Sequence, residues 1–153
     1  MNIKFMNAAI KQALKAAQKD EVPIGAVIVV DGKIIARAHN LMEKTQLATA
    51  HAEILAINKA CKKLKSWRLD NAEMYITVEP CAMCAGAIAN ARIKKVYFGA
   101  FESKSGCAES KYPVLTDNGL NHSTEFVGGV EHDICANIIK NYFKSKRIKK
   151  SLD

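Results

Sequence analysis

Two short segments carry the residue types of metal-assisted or thiol chemistry: His51-Ala52-Glu53 and Pro80-Cys81-Ala82-Met83-Cys84. Cys81 and Cys84 are three positions apart, so on a helix both sulfurs lie on one face and can share an ion. A proline just before the pair marks a helix start, where the backbone dipole favours thiolate over thiol. Adding His51 gives two sulfurs and an imidazole nitrogen, donors that zinc prefers. A fourth position left to water would make such a site catalytic rather than structural. Glu53 is then a carboxylate at hand for moving protons.

Each piece has a plainer reading. A CxxC between a strand and a helix is also where a thioredoxin-like redox pair sits, so the spacing alone leaves redox and metal roles open. A histidine at a helix start is commonly a cap or a surface residue, and an acid in a first turn suits the helix dipole. Cys61, Cys107 and Cys135 are far apart and supply no second close pair for a four-ligand site. Cys61 and Cys135 fall on apolar helix faces, where core packing is the default. His51 and Glu53 are two apart and do not share a helix face, so they converge only at a helix tip.

The elements that must position these residues follow from the apolar periodicity. Phe5, Met6, Ala9, Ile10, Ala13, Leu14 and Ala17 predict a helix over 3–19. The apolar run 24–30, then Asp31-Gly32, then 33–38 predicts a hairpin, since Asp-Gly accepts the positive φ of a tight turn. The polar stretch 40–49 leads into a helix over about 50–64, with Ile54, Ile57, Cys61 and Leu64 as its buried stripe. Strands are expected at 74–78 and 95–98, flanking a helix over 81–91. The segment 101–121 has no period, and loops of that length are commonly functional. A further strand at 123–127 precedes a basic helix at about 131–150, set by Ile134, Cys135, Ile138, Ile139, Tyr142 and Phe143. This order predicts an α/β, three-layer domain: a mixed central sheet with helices on both faces.

A chain of 153 residues, 49% hydrophobic and 25% charged, predicts one folded domain over 1–153. No run approaches the roughly 18 apolar residues of a membrane span. Lys4, Lys11 and Lys15 interrupt any secretory signal. The expected compartment is the cytoplasm, where five cysteines do not form a disulfide framework. A net charge of +8 is compatible with an anionic partner, most simply nucleic acid. Lys140, Lys144, Lys146, Arg147, Lys149 and Lys150 gather near the C-terminus, with no acid before Asp153. The rival reading is a solubilising tail.

His-x-Glu combined with Pro-Cys-x-x-Cys is the signature of zinc-dependent nucleobase deaminases. Over nearly its full length the chain resembles the bacterial tRNA-specific adenosine deaminases. The resemblance is carried by Glu21-Val22-Pro23-Ile24-Gly25-Ala26-Val27, His39-Asn40, Thr49-Ala50-His51-Ala52-Glu53, and Glu79 through Ile88. Arg92-Ile93, Phe98-Gly99-Ala100, Gly119-Leu120-Asn121-His122 and the basic last helix complete it.

The resemblance implies a cytidine-deaminase-like fold, a homodimer, and hydrolysis of adenosine to inosine at the wobble position of a tRNA anticodon. One Zn²⁺ per chain would be held by His51, Cys81 and Cys84, with Glu53 as the acid–base residue. Asn40 would contact the flipped nucleoside, and Val22 and Val78 would line the base pocket. Glu102 stands near the expected ribose contact, and Lys104 belongs to the segment that meets the RNA backbone. A base must be splayed out of its loop to react, and Lys144, Lys146 and Arg147 form the natural phosphate-contacting surface. The chain departs from the family in Glu102 for an Asp, Glu109 for a Gly, and Leu47-Ala48 for Asp-Pro. The competing enzyme reading is a zinc deaminase of a free base or nucleoside, guanine or cytosine. A non-catalytic RNA-binding module with structural zinc leaves Glu53 idle, and a thiol oxidoreductase leaves both His51 and Glu53 idle.

Overall fold

Asp31 and Gly32 take positive φ values of 50° and 74°, and so close the hairpin between β1 (Gly25–Val30) and β2 (Lys33–His39). Around this hairpin the computed structural model describes residues 1–117 and 119–152, leaving Asn118 and Asp153 outside the described residues. Three further strands, β3 (Glu73–Val78), β4 (Lys95–Ala100) and β5 (Glu125–Val127), complete a five-stranded sheet of order β2-β1-β3-β4-β5. β1 is antiparallel to both β2 and β3, whereas β3, β4 and β5 run parallel. The sheet is mixed, as expected.

The helices are α1 (Ile3–Gln18), α2 (Met42–Thr45), α3 (Ala52–Leu64), α4 (Ala82–Ala91) and α5 (His132–Leu152). None among the described residues is long and apolar enough to cross a membrane. Strand alternation divides the core in two. Ala26, Ile28, Met74, Ile76, Val96 and Phe98 pack with α3 and α4 on one face. Val27, Val29, Tyr75 and Tyr97 pack with α1 and α5 on the other. There Tyr75 stacks on Tyr97 at 4.6 Å between ring centroids, and its hydroxyl accepts the Asn2 N–H at 3.0 Å. The three expected layers are therefore present, and both sheet faces are covered.

Three local features differ from expectation. The polar stretch 40–49 contains the short helix α2, whose first N–H groups are satisfied from a distance. The Glu21 carboxylate, 1% exposed, accepts Glu43 N–H at 2.9 Å and Lys44 N–H at 2.8 Å. A contact across 22 residues leaves no local periodicity to read.

The second difference is the rotation of α3. Its buried residues are Ala52, Glu53, Ala56, Ile57 and Ala60, whereas Ile54 and Cys61 are half-buried and Leu64 is exposed. Small alanines let the helix lie close to the sheet, and the rotation carries Glu53 inward. Similarly, α5 buries Cys135 while Ile134 and Phe143 stay largely exposed, so only part of its predicted apolar stripe is covered.

The third lies in the segment 101–121, which has no regular element among its described residues but is dense in backbone bonds. Gly106 N–H reaches Glu102 O at 2.8 Å, Lys111 N–H reaches Gly106 O at 2.8 Å, and Thr124 N–H reaches Leu115 O at 2.7 Å.

Candidate metal centre and active site

α3 and α4 each begin at the edge of the same site. His51 is the N-cap of α3 and Cys81 the N-cap of α4, both extended, with ψ of 150° and 176°. Neither side chain caps its own helix, so each is available to turn towards the other. Cys84 lies one turn into α4 and is fully buried. The helix-tip arrangement resolves the two-residue spacing of His51 and Glu53: one stands just outside the helix while the other points into the core from its first turn.

His51 Nδ1 lies 3.5 Å from Cys84 Sγ and 3.7 Å from Cys81 Sγ. All three ligating atoms fall within 4.8 Å of one another. A tetrahedral ion with bonds of about 2.0–2.3 Å spaces its ligands by about 3.5–3.8 Å, which matches the two distances from the imidazole to the sulfurs. The five cysteines are all free thiols. A redox pair would leave the imidazole without a role, whereas here it faces both sulfurs.

The electrostatics agree with a cation-binding centre. The Cys84 thiol and the His51 ring hydrogen-bond to Cys81 and outweigh its burial, which lowers its pKa to about 4. Cys84 is pushed up by that same bond to Cys81 and by burial. The His51 pKa is raised by its bond to Cys81. Glu53, 4% exposed, is raised mainly by burial. Its Oε1 has no hydrogen-bond partner among the described residues, a costly state for a buried oxygen. An unpartnered carboxylate oxygen beside three metal-type donors fits a site that receives a metal and a polar reactant.

A cavity of about 190 Å³ opens beside His51, lined by Val22, Ile24, Asn40, Met42 and Ala52. Val22 and Asn40, both expected at the base pocket, are among its walls. Asn40 Oδ1 accepts Met42 N–H at 3.1 Å and its amide reaches Val22 O at 3.5 Å, so the side chain is held by the cavity's own walls. Ile24, Met42 and Ala52 are additional walls. Val78 is not among them; it is 8% exposed and packs in the core on the α1 side of the sheet.

Glu102 and Lys104 follow β4. Glu102 Oε1 accepts Lys104 N–H at 3.0 Å, which tightens the turn that exposes Lys104. The anchor of this loop has no local signature in the sequence. Glu79, 3% exposed, stands just before the Pro80-Cys81 pair, and its carboxylate accepts four backbone N–H groups of the loop. Burial alone would raise the Glu79 pKa, but hydrogen bonds from Ser110, Glu109 and Glu102 outweigh it and leave the carboxyl below its ordinary value.

On α5, Lys144 and Arg147 are exposed. Lys146 is instead paired with Asp20 at 2.6 Å and lies over the Tyr142 ring at 5.7 Å, which ties α5 to the end of α1. A groove of about 690 Å³ runs between them, walled by Lys19, Lys44, Phe143 and Lys146 and meeting the smaller cavity at Val22. Lys19 and Lys44 escape a reading by sequence because neither belongs to the C-terminal charge run.

The comparisons with known proteins bear on the same residues. The model of the MafB19-like deaminase family matches residues 2–147. A tRNA-specific adenosine deaminase of Bacillus subtilis (strain 168) is 50% identical over 146 residues, covering 95% of this chain and 91% of that protein. A solved structure from work on A-to-I editing by tRNA:A34 deaminases at the wobble position superposes with a TM-score of 0.87 at 42% identity, covering 90% and 99%. A guanine deaminase of Bacillus subtilis is more distant, with a TM-score of 0.63 at 36% identity over 74% of this chain and 83% of that one. The chain belongs to the MafB19-like deaminase family, in which it groups with the tRNA-specific adenosine deaminases.

Proposed function

We propose that this protein hydrolyses adenosine to inosine at the wobble position of a tRNA anticodon, using one Zn²⁺ held by His51, Cys81 and Cys84. The observation that carries the reading is the unpartnered buried oxygen of Glu53 beside three donor atoms gathered within 4.8 Å of one another. Relatives at 42–50% identity that act on tRNA by name support the substrate.

When bound, zinc would make a coordinated water more acidic and so a better source of hydroxide near neutral pH. Two thiolates and a neutral imidazole would cancel the ion's two positive charges and leave a bound water less acidified, which makes a local base more necessary. Glu53 takes the water's proton, delivers one to N1 of the adenine as C6 is attacked, and then assists the departure of ammonia. Burial raises its pKa, the direction that suits a carboxyl which must both accept and donate a proton. Val22, Ile24 and Ala52 offer apolar walls to the flipped base, and Asn40 offers a fixed amide. Lys104, Lys144 and Arg147 are exposed cations for the phosphates on either side of it.

The described span acts as one deaminase domain in this reading, in the cytoplasm where free cysteines stay reduced. We infer a homodimer through the outer face of α4. Met83 is 36% exposed there, Gly86 faces open space and Ala87 is half-buried. A second reading, deamination of free guanine, is favoured only by the likeness to the guanine deaminase. Incubation with an anticodon stem-loop, free adenosine, guanine and cytidine, read by mass spectrometry, separates them. Inosine in the stem-loop alone supports the proposal, and xanthine from guanine overturns it.

A further inference from the structure

Glu79 is one of the few buried charged residues outside the candidate catalytic trio and Glu53, and the chemistry outlined above gives it no task. Its two oxygens are fully used. Oε1 accepts Glu102 N–H at 3.0 Å and the Ser110 hydroxyl. Oε2 accepts three consecutive N–H groups, from Ala108 at 3.1 Å and from Glu109 and Ser110 at 2.9 Å. Successive amides converging on one oxygen form an anion nest, a geometry that selects a carboxylate over a neutral amide. Gly106 completes the cradle, because a Cβ there would collide with the Glu79 carboxyl.

The same loop is pinned a second time, at the residue after Glu79. Cys107 N–H donates to Pro80 O at 2.7 Å, one residue before Cys81. The two residues after β3 therefore hold segment 102–110 together: Glu79 binds both of its ends by its carboxylate, and Pro80 binds Cys107 between them by its carbonyl. The segment carries Glu102 and Lys104, while the next residue of the chain is Cys81.

We propose that Glu79 is a positioning residue for substrate, which fixes loop 102–110 and its Glu102 and Lys104 at a set distance from the Cys81 turn. This rests on the reading that the loop meets RNA. In Glu79→Gln one oxygen becomes an NH₂ group facing N–H donors, so the nest is opened without creating a cavity. The loop then samples other positions while α4 and the metal ligands keep theirs.

The test uses the zinc-loaded full chain. For Glu79→Gln the expected result is a KM for an anticodon stem-loop raised about tenfold, the worth of roughly one charge-assisted hydrogen bond. Turnover stays within about threefold of wild type, since the acid–base residue is untouched. Metal remains at one ion per chain. Hydrogen exchange accelerates at the amides of Glu102 and Ala108 to Ser110 but not in α4. Ser110→Ala raises KM in the same direction by less, and the double variant is no worse than Glu79→Gln, because both changes open one cradle.

Wild-type KM, additive effects in the double variant, or unchanged exchange at 102–110 overturns the proposal. Lost zinc with loosened α4 does so too, by showing a role in the fold alone. Should Glu79→Gln not fold, Ser110→Ala decides: raised KM with full metal supports positioning, and unchanged KM rejects it. If wild-type protein leaves the stem-loop unreacted, the functional reading has failed instead, and the exchange measurement still tests the cradle.

Discussion

His51 and Cys81 hold the same position in two different helices, the residue just before the first turn, and their ligating atoms lie 3.7 Å apart. Two helix N-termini thus point at one spot, and their dipoles add to its preference for negative donors. Cys84 closes the trio from within α4, and Glu53 faces it from within α3.

The ligands and the base should separate cleanly. Cys84→Ala removes a buried donor, and metal analysis should find zinc lost. Glu53→Ala removes no ligand, so it should keep one ion per chain and its circular dichroism while turnover falls by about 10²–10⁴. Stoichiometric zinc in Cys84→Ala would refute the ligand assignment, and retained turnover in Glu53→Ala would remove that residue from the reaction.

Glu53 also sets a pH dependence of stability. Burial holds its carboxyl above the ordinary value, so the fold favours the neutral form. That contribution is complete below the unfolded-chain value of about 4.3 and is lost as pH rises through the higher folded value. Glu53→Gln has no such loss. In metal-stripped protein its Tm should gain on wild type as pH rises across this window and then level off. Thermal scans from about pH 4 to 8 read this directly; a difference that shrinks with pH contradicts it.

The parts legible in sequence are those with a local cause. The Asp31-Gly32 turn, the strands and the CxxC at a helix start are each written in a few adjacent residues. The site's three ligands are legible as a set because their types and spacing match one chemistry. Glu21 and Glu79 are not, since each carboxylate serves N–H groups more than 20 residues away. The rotation of α3 escapes for a related reason: its buried alanines carry little hydrophobic signal, yet only they allow Glu53 to turn inward. Val78 aligns with the pocket by resemblance, yet at the end of β3 it packs with Tyr75 and Tyr97 and not with Ile76 two residues before it, a placement that simple strand alternation does not give.

The basic helix offers a test by ionic strength. Lys144 and Arg147 are exposed, whereas Lys146 is already paired with Asp20. Each phosphate that the protein ceases to neutralise should flatten the dependence of log affinity on log salt by about 0.7–0.9. Lys144→Ala with Arg147→Ala should therefore reduce the slope by about 1.5 with no change in Tm. Lys146→Ala should lower the slope less and leave the Tm close to wild type, because its ion pair is exposed. An unchanged slope after truncation beyond Phe143 would assign the helix end to solubility.

Two glycines separate folding from association. A Cβ on Gly25 would run into the backbone of α1 at Ala9 and Ala13, so Gly25→Ala must push the helix off the hairpin. Overpacking of this kind costs about 1–3 kcal/mol or more, and the Tm should fall accordingly. Gly86 in α4 has nothing within 4 Å of the same atom. There, alanine gains about 1 kcal/mol of helix propensity, so an isolated chain should be more stable. If the outer face of α4 meets a second copy, that same methyl group must enter the interface and weaken it. Sedimentation of Gly86→Ala should then show a larger dimer dissociation constant together with a monomer Tm no lower than wild type. A dimer of wild-type strength would move the contact elsewhere on the surface.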